Sequence, residues 1–448
     1  MNAPTQHTPP PRGVTLVALS NKAEFLRHQV RTFDSVIAST LVAIVIFSIL
    51  AFGGSEDWAV FLFEIGAVLL GLMWAARQLF IERLDFHPNW MYVPALVFAG
   101  VVVVQIAAGR TVTPYATLIE GLKYLALGVV FFVADQVLRS SGIRKHFLYI
   151  LLAFGVFVSL LALVQQFGGA PKIYWFRATI WPFYGPYANH NHYAGMMEML
   201  VAIPFVLALT SELRREFVIL LIASGTFMAS TLVLSRSRGG MVAFAIQILL
   251  WSGYLLRDNH RKVRFMIGTA GVLVMIVLTL YSLGGSALFE HLGTLRQPMS
   301  ESVSGNRLTI LKDTLHMARQ RPLLGWGLDS FETAYPQFRS FPTQSVVNFA
   351  HNDYAQLLAE TGVIGFLAVM VFLGLMYFRG VRAMVQDSAN RNPAAAVALL
   401  GCSGLLVHSL FDFNMHITAN VALFLTFCAL TGNARKRDMA REEHGAAD

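Results

Sequence analysis

Long apolar runs separated by short polar stretches recur along almost the whole chain. They fall at roughly residues 35–52, 58–76, 91–107, 115–134, 147–167, 193–210, 217–234, 240–256, 263–283, 354–378, 395–411 and 416–432. Each run is about 17 to 25 residues, the length at which a helix crosses a hydrocarbon core of about 30 Å. The pattern predicts an all-α polytopic membrane protein with about twelve transmembrane helices. It divides the chain into a tail (1–34), helices one to nine (35–283), a polar loop domain (284–353), helices ten to twelve (354–432) and a second tail (433–448). Within the loop domain, Asn306 is placed to cap a helix whose Leu308, Leu311, Leu315 and Ala318 share one face. Pro322 should end that helix, and Gly325-Trp326-Gly327 reads as a turn. A partly helical cap over the bundle is therefore expected.

Composition strengthens the membrane assignment. Hydrophobic residues make up 55% of the 448 and charged residues 13%, against about 25% charged in soluble domains, and the mean hydropathy is +0.56. Cys402 and Cys428 both lie in apolar runs, which argues against a disulfide framework or a zinc site. The net charge of +8 reflects topology rather than nucleic-acid binding. When connections are assigned to alternate sides, 22 of the 34 Lys and Arg residues fall on the side of the N-terminus, which the positive-inside rule makes cytoplasmic. Both termini are expected inside. Met1–Gly13 is polar and Pro-rich, and the first apolar run begins only near Ser35. That is unlike a cleaved signal peptide, so the first helix is expected to remain as an anchor.

Polar chemistry concentrates on the opposite side, in three clusters. Ser235-Arg236-Ser237-Arg238-Gly239-Gly240 offers two guanidiniums, two hydroxyls and close-approach glycines, suited to phosphate or diphosphate. Snorkelling arginines are the alternative there. Asn189-His190-Asn191-His192 follows an aromatic loop (Tyr174, Trp175, Phe176, Trp181, Phe183, Tyr184, Tyr187) and has the groups a sugar needs. An interfacial aromatic belt with Asn or His capping a helix explains it as well. A His-x-His metal site lacks an accompanying carboxylate or cysteine. The third cluster is His351-Asn352-Asp353. His351 suits general-base work, whereas Asp353 and Gln356 have capping-box spacing. Asp412, Asn414 and His416 sit in the last external turn, and Glu120 and Lys123 read as a paired charge within the fourth run.

Several of these residues also form a pattern that resembles the O-antigen ligase superfamily, which includes O-antigen ligases, O-antigen and exopolysaccharide polymerases and protein O-oligosaccharyltransferases. His351 is followed by Asn352, then by Gly362 eleven positions after the histidine and by Gly365 three further on. Arg238 precedes an aliphatic residue, Val242, by four positions, where the family usually has Leu. Arg321-Pro322-Leu323-Leu324-Gly325-Trp326-Gly327 with Phe331, and the Asn-His-Asn-His-Tyr-Ala-Gly run from Asn189, complete the likeness. These marks span about 189 to 365; the first 120 residues are generic membrane helices.

The resemblance implies a membrane glycosyltransferase C-type bundle with a periplasmic cap, embedded in the bacterial inner membrane. It implies an undecaprenyl-diphosphate-linked glycan as donor and inverting transfer to an acceptor hydroxyl, with no cofactor or metal. His351 would activate the hydroxyl, and Arg236, Arg238 and Arg307 would bind the diphosphate. Asn189, His190, Asn191, His192, Asn352 and Asp353 would line the substrate site. The acceptor is expected to be lipid A–core in lipopolysaccharide assembly, with a growing glycan chain (polymerase) or a protein serine as alternatives. The rival from another class is a lipid-linked glycan flippase or transporter. It would explain twelve spans and the Glu120/Lys123 charges, but not the clustering of polar residues at one face.

Overall fold

A computed structural model describes residues 12–82, 84–169, 172–179, 182–211, 213–255, 306–343, 345–386 and 392–432. Its first half comprises α1 (Arg12–Leu50), α2 (Asp57–Phe80), α3 (Tyr92–Ala107), α4 (Pro114–Val137), α5 (Ser141–Phe167), a two-residue hairpin (Lys172–Ile173 with Arg177–Ala178), α6 (His190–Thr210), α7 (Arg215–Leu234) and α8 (Arg238–Leu255). After these come α9 (Arg307–Gln320), α10 (Phe331–Ala334), α11 (Asp353–Gln386), α12 (Pro393–His408) and α13 (Thr418–Leu430). The protein is an all-α polytopic membrane protein. Helices coincide with the expected apolar runs except for 263–283, which lies outside the described residues. The first helix starts at Arg12, well before its apolar run, because hydropathy marks only the part apolar enough to cross a membrane, Gln29–Leu50.

At the centre stands α6, buried from His192 to Ala208 except at Phe205 and packed on α5, α7, α8, α12 and α13. Two of its neighbours are short. With 16 and 13 residues, α12 and α13 rise about 24 and 20 Å, less than a core of about 30 Å. The turn that joins them is thereby recessed into the bundle. Its Asp412 and Asn414 are 1% and 0% exposed.

The cap has its own small core, where Ile310, Met317 and Ala318 of α9 meet Trp326, Phe331 and Tyr335. Asn306 precedes α9 as expected but makes no capping bond. Of the four residues that share the expected apolar face, only Ala318 is buried. Leu308 and Leu315 are exposed, while Ile310, Asp313, Thr314 and Met317 are buried. Asp313 decides this: its carboxylate accepts from Tyr335 Oη (3.1 Å) and from the Ser340 amide (3.0 Å). Counting hydrophobicity alone discards that face.

The cap joins the bundle at a break in α11. Gly362 takes φ 66°, ψ −173°, a conformation essentially confined to glycine. Around the break, the Trp326 and Gly327 amides donate to the Ala359 and Glu360 carbonyls, and Val363 and Ile364 donate to the Pro322 and Leu323 carbonyls. The Pro322–Gly327 run and the Gly362 position are thus two sides of one junction. Gln105 of α3 locks it, donating to the carbonyls of Leu324 (2.5 Å) and Glu360 (2.7 Å) and accepting from the Leu328 amide (3.1 Å). Truncating it strands buried backbone groups, at about 1–3 kcal/mol each. Gln105→Ala is expected to make the Pro322–Gly327 segment open to limited proteolysis well before the helices unfold. Cleavage kinetics identical to wild type would contradict the lock.

Candidate functional site

His351 ends the extended segment that leads into α11 and has a left-handed backbone (φ 51°), sparsely populated for a non-glycine residue and held only where surroundings enforce it. The next two residues supply that enforcement. Asn352 Oδ1 accepts from the Ala355 amide (2.9 Å) while Nδ2 donates to the Leu410 carbonyl (3.0 Å), and the Asp353 amide donates to the Ser409 carbonyl (2.9 Å). The helix cap is therefore Asn352 rather than Asp353, because Asp353 is committed elsewhere. Its carboxylate accepts from the Met415 amide and from His416 Nδ1, both at 3.0 Å. Burial alone would lower the His416 pKa, but the bond to Asp353 and the charges of Asp353, Glu360 and Glu120 hold it above its ordinary value. Lys123, paired with Glu120 at 2.6 Å as expected, supports this turn from behind through the His416 carbonyl at 3.5 Å.

The His351 ring points its Nδ1 at Asp412 Oδ1, 3.3 Å away, and lies edge-on to Phe413, with centroids 5.2 Å apart. Asp412 is the hub of the site. Its Oδ1 also accepts from the Phe413 amide (3.0 Å), and its Oδ2 accepts from Asn191 Nδ2 and stands 3.9 Å from Arg307 Nη2. Burial works to raise its pKa, but the His351 hydrogen bond and the nearby His192 and Arg307 outweigh burial and hold the carboxyl below the usual range. An ionised Asp412 fixes the proton on His351 Nδ1 and leaves Nε2 as the basic nitrogen.

The other expected residues divide between lining and support. Asn189 caps α6 through the Asn191 amide (2.9 Å). The two histidines of the His-x-His run go separate ways, His190 Nδ1 to the Ser235 carbonyl (2.7 Å) and His192 Nδ1 to Asn414 Oδ1 (3.3 Å). From the aromatic loop, Tyr184 and Tyr187 are 3% and 1% exposed and pack into the bundle, while Trp175 and Phe176 remain open. Arg307 Nη1 donates to the Phe411 carbonyl (2.6 Å), so it braces the recessed turn and faces the site together.

Arg236 and Arg238 flank Ser237 at the junction of α7 and α8. Arg236 is exposed, with φ 61°, and Arg238 opens α8. A Cβ at Gly239 would lie 2.9 Å from the His408 ring, and one at Gly240 2.7 Å from Ala194 Cβ. These glycines let the turn pack against α12 and α6. By these contacts the arginine turn, the His351 loop, Arg307 and Asn191 all meet the 408–416 connection. In the sequence Asp412 is only part of the last external turn: it lies 61 residues beyond His351, and no local spacing joins them. The single signal was an acid between two apolar runs.

An imidazole backed by a buried carboxylate, with the Arg307 guanidinium beside that carboxylate, is equipment suited to group transfer, here built into a membrane protein. Residues 223–370 match the O-antigen ligase family, a stretch that contains Arg236, Arg238, Arg307 and His351 but neither Asn191 nor Asp412. That match, over a stretch of the chain rather than its whole length, supports the O-antigen ligase superfamily and a membrane enzyme of glycosyltransferase-like type. No curated protein matches it.

Proposed function

We propose that the protein transfers a glycan from undecaprenyl diphosphate to an acceptor hydroxyl at the periplasmic face of the bacterial inner membrane, with both termini cytoplasmic. The acceptor is lipid A–core, as in lipopolysaccharide assembly. The observation that carries this is the approach of His351 Nδ1 to the buried Asp412 carboxylate, on the same turn that Arg307 grips.

The chemistry follows from that geometry. His351 Nε2 takes the proton of the acceptor hydroxyl as its oxygen attacks the anomeric carbon from the face opposite the diphosphate. The new C–O bond forms as the old one breaks, inverting the centre, and the electron pair leaves on the diphosphate oxygen. Arg236, Arg238 and Arg307 supply the positive charge that stabilises this leaving group, so the step proceeds without a metal ion.

The purified full chain, given an undecaprenyl-diphosphate-linked glycan and lipid A–core, should form product at an unchanged rate in excess EDTA. Arg238→Ala should lower kcat/KM for the donor by about 10²-fold, the scale for removing one group that stabilises a developing negative charge. Loss of activity in EDTA, restored by a divalent cation, would refute the metal-free route. Product formed only with a second lipid-linked glycan as acceptor would reassign the enzyme as a polymerase.

A further inference from the structure

Next to the arginine turn, three polar side chains are sealed inside the bundle. Glu198 of α6, His408 at the end of α12 and Ser237 are each 0% exposed. His408 Nδ1 lies 2.8 Å from Glu198 Oε1, and its Nε2 lies 3.4 Å from Ser237 Oγ. Ser237 Oγ also accepts from the Gly240 amide (3.1 Å), so the hydroxyl that His408 contacts is the one that caps α8. Gln247 of α8 donates to the Glu198 carbonyl (2.8 Å) and the Leu400 carbonyl (2.9 Å). Glu198 Oε2 and Gln247 Oε1 are buried and have no hydrogen-bond partner.

A carboxylate and an imidazole in this setting are costly to desolvate, and apolar side chains of similar size would pack α6 on α12 without that cost. The pair does something packing would not. It fixes a single residue, Ser237, between the two arginines, where the chain turns through the left-handed Arg236. The main chain of His408 meanwhile opens the recessed turn, its carbonyl accepting from the Phe411 (2.8 Å) and Asp412 (3.2 Å) amides. His408 is thus a joint: its ring holds the arginine side of the site and its carbonyl holds the side that carries the His351 partner.

We propose that Glu198 and His408 are positioning residues that set the Arg236–Arg238 turn for the diphosphate of a lipid-linked donor. The proposal rests on the reading above, in which these arginines bind that diphosphate. Glu198 orients the His408 ring, the ring fixes the Ser237 hydroxyl, and the hydroxyl fixes the first turn of α8 with Arg238 at its start. Neither residue touches the substrate.

The test measures binding of undecaprenyl diphosphate and of undecaprenol to the full chain in lipid nanodiscs. Undecaprenol shares the tail and lacks the charge. Wild type should prefer the diphosphate, and Arg236→Ala/Arg238→Ala should lose that preference. Glu198→Ala and His408→Ala should weaken diphosphate binding about tenfold with undecaprenol binding unchanged, and Glu198→Gln, whose amide oxygen still accepts from the ring, should restore it to within about twofold. Equal weakening of both ligands, or no rescue by Glu198→Gln, would mean a general packing role and overturn the proposal. Wild-type affinity in Glu198→Ala and His408→Ala would overturn it alone if the arginine variant still fails. An arginine variant that binds like wild type would remove the diphosphate reading and this inference with it.

Discussion

An Asp412→Asn substitution is expected to slow glycan transfer by about 10²–10⁴-fold, the range attributable to a positioned general base, while donor affinity stays within about threefold. The reason lies in the two sides of this carboxylate. Donors face both oxygens, the Phe413 amide and His351 Nδ1 at Oδ1 and Asn191 with the Arg307 guanidinium at Oδ2. An asparagine keeps the charged partner by placing its carbonyl oxygen toward Arg307. Its NH₂ would then face His351 Nδ1 and force that nitrogen to become the acceptor. The imidazole proton moves to Nε2, and the base is gone although the shape of the site persists. Single-turnover rates with saturating donor check this. A rate within a few-fold of wild type would mean that Asp412 merely shapes the turn.

Gly362→Ala is expected to prevent assembly of the cap on the bundle. A Cβ at Gly362 would lie 2.3 Å from the Leu323 carbonyl oxygen, which itself accepts from the Ile364 amide and has nowhere to move. The backbone conformation adds about 1–3 kcal/mol of strain for any other residue. Gly374 lies in the same helix with open space at its Cβ position and provides the matched control. Detergent-extracted Gly374→Ala should elute as wild type, and Gly362→Ala should aggregate or be degraded. A monodisperse, wild-type-like Gly362→Ala would contradict the junction.

These two residues also mark what the sequence could and could not reveal. Gly362 was legible as a position, because its eleven-residue distance from His351 is a repeating pattern within one superfamily. Its role, a helix break that exchanges hydrogen bonds with Pro322–Gly327, depends on a contact across some forty residues. Apolar runs located the helices, since crossing a bilayer imposes a length that hydropathy reads directly. The buried face of α9 is hidden in the sequence because Asp313 is stabilised by Tyr335 and Ser340, partners brought together only by folding. The ties of Asp353 are hidden for a related reason: capping-box spacing is local, whereas its bonds to Met415 and His416 cross more than sixty residues. The Asp412 hub, and the His408–Glu198 pair behind the arginines, join segments 61 and 210 residues apart. Arg236, Arg238 and His351 stand out in the sequence because charge and imidazole near a bilayer are costly, whereas Arg307 enters only through the family resemblance.

The measurement that bears most directly on the central claim is release of undecaprenyl diphosphate by the purified full chain in one turnover, with wild type and His351→Ala side by side. His351→Ala is expected to bind the lipid-linked donor as wild type does, yet to release diphosphate lipid and form glycan product at least about 10²-fold more slowly. Transfer by His351→Ala at the wild-type rate would contradict that claim.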